Sequence, residues 1–205
     1  MYFHKTPRLF EILFPFILWR IKTTQKVIYL SFDDGPIPEL TPIILDILDD
    51  YNAKATFFVV GDNIQKYPEL KDLMLARGHK IANHTFNHLN GWQVNLEDYL
   101  ANVELCEKII PESNQYFRPP YGKMTWKQAR NVSQSKKIVM WDSLSGDFDN
   151  ALSPEQCLAA SIKSISKGSI IVFHDNLKAR RKIEYVLPAF LAHFSELGYQ
   201  FKVLP

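Results

Sequence analysis

Two short segments of this 205-residue chain carry residue types that could hold a metal and move protons. The first is Asp33-Asp34-Gly35-Pro36. Adjacent carboxylates repel, and burying them is costly unless a cation or a proton offsets the charge. A metal on one and an arginine on the other would do so. As a bare tetrapeptide the segment is equally a good turn. The second is His84-Thr85-Phe86-Asn87-His88. On a helical turn its two imidazoles share one face, a common grip for a transition metal, although two surface histidines would look the same. Two histidines and one carboxylate leave a ligand position for water, as catalytic rather than structural sites do.

Further candidates lie downstream. Phe117-Arg118-Pro119-Pro120-Tyr121-Gly122 is a proline-stiffened segment. It could be a plain turn, or it could fix Arg118 against a carboxylate. His174 could be a satisfied core histidine or, beside Asp147, an oriented general acid. Asp142 competes with Asp147 for that orienting role. Trp92 suits either a sugar ring or the core.

These residues fall at the ends of predicted strands. Val27–Phe32, Ala55–Val60, Lys80–Asn83, Tyr116–Arg118, Lys137–Trp141, Ser169–Phe173 and Gln200–Val203 are β-branched and aromatic runs. Helical spacing marks Leu40–Tyr51, Pro68–Arg77, Leu96–Ile110, Trp126–Ser133, Pro154–Ser166 and Ile183–Leu197. Strand–helix alternation implies parallel strands with crossover helices, and near-continuous apolar strands imply a sheet buried on both faces. A full eightfold barrel takes about 250 residues. The expectation here is therefore a single α/β domain, a distorted (β/α) barrel of about seven parallel strands with outer helices. An open doubly wound sheet is the alternative. Both architectures place active sites at the carboxyl ends of strands, where the candidate residues cluster.

Composition narrows the function classes. Lys and Arg total 24 against 22 acidic residues, with no concentrated basic run, which argues against a nucleic-acid partner. Cys106 and Cys157 are too few for a disulfide framework or a cysteine zinc site, and read as two inert buried thiols. Residues 1–26 form a separate N-terminal segment. Its apolar run Ile12–Trp19 is far shorter than the roughly 20 residues that span a bilayer. Glu11 and the lack of a small-x-small site argue against a cleavable signal peptide, so the expected location is cytoplasmic or membrane-associated. The segment is expected to pack on the domain or, through residues 9–20 with Trp19 and flanking bases, to touch a membrane surface.

Taken in order, the segments resemble the polysaccharide deacetylase family of the NodB-homology type, carbohydrate esterase family 4. Ser31-Phe32-Asp33-Asp34-Gly35-Pro36, His84–His88, Arg118–Gly122, Trp141 with Asp147-Phe148, and Val172-Phe173-His174 look like its five motifs. The likeness spans residues 27–205, the expected catalytic domain, and leaves out 1–26. It implies a distorted barrel and a metal-dependent hydrolase that removes acetyl groups from N-acetylglucosamine-containing glycans such as peptidoglycan or chitin. By resemblance, Asp34, His84 and His88 hold one divalent metal. Zinc is the first expectation, with nickel, cobalt, manganese or iron also compatible. Asp33 becomes the base, His174 the acid, Arg118 the tether of Asp33, and Asp147, favoured by motif order over Asp142, the orienter of His174. Tyr121 supplies an oxyanion N–H, and Trp141, Phe148 and Val172 line the acetyl pocket. Ser31, Phe148 and Val172 depart from the commoner Thr, Trp and Leu, and the latter two leave acyl size and substrate choice open. The rivals are a deacylase of a small amide or O-acetyl ester on the same site, and a non-catalytic glycan-binding protein.

Overall fold

The computed structural model describes residues 2–111 and 113–205. Its strands are β1 (Val27–Asp33), β2 (Thr56–Val59), β3 (Lys80–Asn83), β4 (Tyr116–Phe117), β5 (Lys137–Ile138), β6 (Ser143–Leu144), β7 (Ile170–His174) and β8 (Gln200–Lys202). They form one sheet in the order β5-β4-β3-β2-β1-β7-β6, and β8 pairs the start of β1. Every pairing between these strands is parallel. All seven expected strands are present. The short β6 is an addition, and the expected strand 137–141 is cut to Lys137–Ile138. Beyond it, Val139 bridges to Leu18 instead. The two edge strands are consecutive in sequence, so the sheet curls toward closure as a distorted barrel.

The helices are α1 (Leu9–Leu13), α2 (Thr41–Asp50), α3 (Gly61–Lys66), α4 (Pro68–Ala76), α5 (Leu96–Glu107), α6 (Trp126–Val132), α7 (Pro154–Ser164) and α8 (Arg180–Glu196). Where an expected helix exists, its core agrees with the periodic pattern. α7 shows why: Ser153 caps the Gln156 amide at 3.2 Å, the Gln156 side chain returns the bond at 2.9 Å, and Pro154 supplies the first helical residue. α1 and α3 were not anticipated, because neither is long enough to show a period.

Side-chain alternation sorts the strands into an outer and an inner layer. Outward-facing Ile28, Leu30, Phe32, Phe57, Ile171 and Phe173 join the core beneath the helices. There, the rings of Phe57 and Phe173 stack on Phe32 at 5.1 and 5.7 Å. Burying each such ring stabilises the fold by about 1.5–3 kcal/mol. Inward-facing Val27, Tyr29, Phe58, Ala82, Tyr116, Val139 and Ile170 fill the barrel floor. Along the same inward rows, toward the carboxyl ends, the residues turn polar: Ser31 and Asp33 on β1, His84 after β3, Arg118 after β4 and His174 on β7. One alternation thus builds both the floor and the site above it.

The N-terminal segment lies along the seam between the sheet edges. Along the backbone Leu18 donates to Ile138 and accepts from Met140, Ile21 donates to Gly168, and Thr6 donates to Asp142. On its outer side Leu9, Ile12, Leu13 and Phe16 are exposed. No helix among the described residues is long and apolar enough to cross a membrane.

Candidate active site

Asp33 closes β1 and is 4% exposed, and Arg118, fully buried, donates to it at 2.5 Å. The guanidinium also donates to Ser31 Oγ (2.9 Å) and to the carbonyls of Val139 (3.2 Å) and Met140 (3.1 Å). Its flat face rests 3.9 Å above the Phe58 ring on the barrel floor. Burial alone would lower the Arg118 pKa, while the charge of Asp33 pulls it back up; the net direction is downward. The fixed fork of donors holds one Asp33 oxygen and leaves the carboxylate otherwise available.

Asp34, His84 and His88 converge, with one ligand atom from each within 4.8 Å of the others. Asp34 Oδ1 lies 3.0 Å from His88 Nε2 and 3.5 Å from His84 Nε2. The expectation that a helical turn brings the two imidazoles together is wrong: residues 84–88 form a loop. Thr85 and His88 take left-handed φ values of 66° and 56°. Side chains stabilise that unusual path. Asn83 accepts from the Thr85 amide, Asn102 accepts from the amides of Phe86 and Asn87, and Thr85 Oγ1 accepts from Leu89. Asp34 (φ 81°) and Tyr121 (φ 59°) share this strain, so among the described residues four of the five non-glycine positions with positive φ surround one site. Such clustering costs stability and is characteristic of functional positions.

The donor set fits a divalent cation. His84 Nδ1 donates to the Arg118 carbonyl at 2.8 Å, so a neutral His84 presents a bare Nε2 lone pair toward a carboxylate. A cation between the two atoms would engage both lone pairs, and the second bond of His84 fixes the ring as metal-bound histidines are fixed. Burial would raise Asp34, but its close contacts with the imidazoles of His84 and His88 and the charge of His174 outweigh it and hold the carboxyl well below its usual range. Two residues that sequence reasoning missed steady Asp34: Asn176 donates to Oδ2 at 2.6 Å and Asn63 to the backbone carbonyl at 2.8 Å. A single asparagine carries no distinctive pattern, and only the place of Asn176 two residues past His174 hinted at it.

Across from Arg118, Asp147 grips His174 twice, at the backbone N–H and at Nδ1, both at 2.7 Å. Asp142 is engaged elsewhere, by Lys5 (2.7 Å), Ser169 (3.0 Å) and the Ile170 amide (2.9 Å). Asp33 and His174 are register partners on the neighbouring strands β1 and β7. Burial would lower the His174 pKa, but the charge and bond of Asp147, aided by Asp34 and Asp33, raise it to about 9. Because the folded value exceeds the ordinary 6.5, this pairing contributes stability that is fully present below pH 6.5 and is lost as pH rises through about 9. Asp147→Asn is expected to remove that pH dependence of the melting temperature between pH 6.5 and 9. An unaltered profile would show that the pair is not what holds His174 protonated.

Of the expected pocket residues, two touch the histidines of this centre. Phe148 packs edge-on against the His174 ring at 5.1 Å, and Tyr121 against His88 at 4.6 Å. Trp141 lies beside Gly122, where a Cβ would come within 2.9 Å of the indole. Val172 is fully buried on β7, level with Ser31. Trp92 is 65% exposed, so it is not a core residue. Both thiols are buried, which pushes each up to about 12.

Comparison with known proteins identifies the family of the chain. Residues 20–141 match the family described as polysaccharide deacetylase. The chain is 33% identical over 193 residues to a peptidoglycan-N-acetylglucosamine deacetylase of Bacillus cereus, covering 91% of this chain and 90% of that one. It is 33% identical over 164 residues to a chitooligosaccharide deacetylase of Azorhizobium caulinodans, covering 76% and 77%. A solved peptidoglycan N-acetylglucosamine deacetylase in complex with 4-naphthalen-1-yl-N-oxidanyl-benzamide superposes with a TM-score of 0.88. That match has 28% identity and covers 98% of this chain and 95% of the other. With the matched segment taking in more than half of the chain and a relative 33% identical aligned over 90% of its length, this chain belongs to the polysaccharide deacetylase family.

Proposed function

We propose that this protein removes the N-acetyl group from N-acetylglucosamine units of a peptidoglycan or chitin-like glycan, using one divalent metal. The observation that carries the reading is the flanking of one metal-ligand set by two independently buttressed proton-transfer groups, Arg118–Asp33 and Asp147–His174. Relatives named for deacetylating peptidoglycan and chitooligosaccharides supply the substrate class.

An acetamide is a poor electrophile and an amine a poor leaving group. Asp34, His84 and His88 would hold the metal, which when bound polarises carbonyls and makes water a better nucleophile near neutral pH. Asp33 takes the proton of the attacking water, and Arg118 keeps its carboxylate in place. The Tyr121 backbone N–H is the proposed donor to the oxygen on which charge develops, a contribution worth about 10²–10³ in rate. His174 then delivers a proton to the departing nitrogen, its ring oriented through Nδ1 by Asp147. A protein that only bound glycans would need neither shuttle.

His84→Ala removes one of three protein ligands and is expected to abolish stoichiometric metal in the purified protein, as read by elemental analysis. Retention of wild-type metal content would contradict the ligand assignment. The substrate class is tested with an acetate-release panel of chitin oligomers, peptidoglycan fragments and acetylated xylan. Release from the N-acetylated glycans supports the proposal, whereas release from xylan alone would favour an O-acetyl esterase.

A further inference from the structure

We propose that Tyr2, on the N-terminal strap, forms part of the wall of the acyl pocket and limits the size of the acyl group accepted. The inference rests on the deacetylase reading above and deepens it.

The strap is held against the segment that carries the acid's partner. Lys5 pairs with Asp142 and bridges Ser143, Thr6 Oγ1 donates to the Trp141 carbonyl at 2.8 Å, and Leu144 N–H donates to the His4 carbonyl at 2.9 Å. This places the Tyr2 ring 5.1 Å from the Phe148 ring, and Phe148 in turn stands 5.1 Å from His174. The Tyr2 hydroxyl also donates to Asp149 at 2.9 Å. Gly146 makes room for the approach. A Cβ at that position would sit 2.8 Å from the His4 ring and 2.9 Å from the Tyr2 hydroxyl oxygen.

His174 must reach the scissile nitrogen, so the ring packed on its edge bounds the space beside that bond. Phe148 is only half-buried, and Tyr2 is the aromatic ring that backs it. With Tyr2 in place, Phe148 cannot swing away to admit a longer acyl chain. A pocket wall that excludes one methylene discriminates by roughly 10–200-fold.

The test compares kcat/KM for N-acetyl- and N-propionyl-chitooligosaccharides in the zinc-loaded wild type, Tyr2→Ala and Tyr2→Phe. Because both substrates report the same folded molecules, their ratio does not depend on how stable each variant is. Tyr2→Ala is expected to raise the propionyl-to-acetyl ratio about tenfold. Tyr2→Phe, which keeps the ring and loses only the bond to Asp149, is expected to retain the wild-type ratio. An unchanged ratio in Tyr2→Ala would overturn the inference while leaving the deacetylase reading intact, and so would an equal shift in Tyr2→Phe. A wild type that releases neither acyl group would overturn both.

Discussion

Asp33→Asn is expected to lower acetate release from an N-acetylated glycan by about 10²–10⁴-fold while bound metal stays at its wild-type level. The substitution keeps the shape of the side chain and an oxygen that can still accept from Arg118. It removes the basic site that takes the proton of water. Asp34 Oδ1, His84 and His88 are untouched, so the metal should remain. Loss of the ion pair leaves the buried Arg118 without its counter-charge and costs up to about 3–5 kcal/mol, less whatever the retained hydrogen bond returns. Rates should therefore be expressed per metal-loaded folded protein. Full activity in this variant would remove Asp33 as the base.

The second large effect concerns Arg118 and is read in stability. Arg118→Met strands Asp33 in the barrel without its cation and leaves the Val139 and Met140 carbonyls without their donor. Removing one partner of a buried pair costs about 3–5 kcal/mol. In a domain of this size each kcal/mol moves the melting temperature by about 2–4 °C, so a fall of roughly 6–20 °C is expected. Arg118→Lys keeps the charge but cannot satisfy Asp33, Ser31 and two carbonyls with a single ammonium, and should fall between. Adding Asp33→Asn to Arg118→Met should recover part of the loss, because no unpaired charge then remains. A single-variant shift below about 2 °C would mean that solvent reaches Asp33, contrary to its burial.

The strands and the ionisable residues were legible in the sequence for one physical reason. A parallel sheet buried on both faces must be written as short apolar runs, and such runs as Ile170-Ile171-Val172-Phe173 stand out against helical periodicity. The residues that follow them are then placed by topology alone. The conformation of His84–His88 was not legible, because it depends on Asn102 reaching in from α5 to hold two amides of the loop. Nor was the choice between Asp142 and Asp147 settled by the residues themselves. It depends on Lys5, far away in sequence, whose ammonium engages Asp142. Packing of the N-terminal segment on the domain was among the expectations, but its path along the seam was not legible, for the same reason. Its contacts with the seam, through backbone and side chains alike, join residues more than a hundred apart, and contacts at that range leave no mark on local side-chain spacing. What local patterns cannot express is contact at long range.

The central claim is hydrolysis of an amide on a sugar, and it is tested most directly by following two products at once. Purified, zinc-loaded protein should release acetate from an N-acetylglucosamine oligomer and expose an equal amount of primary amine. Both signals should vanish on chelation and return on adding the metal back. Acetate without new amine, from any glycan, would identify an ester as the substrate. Absence of both signals from chitin oligomers and peptidoglycan fragments alike would contradict the proposed function.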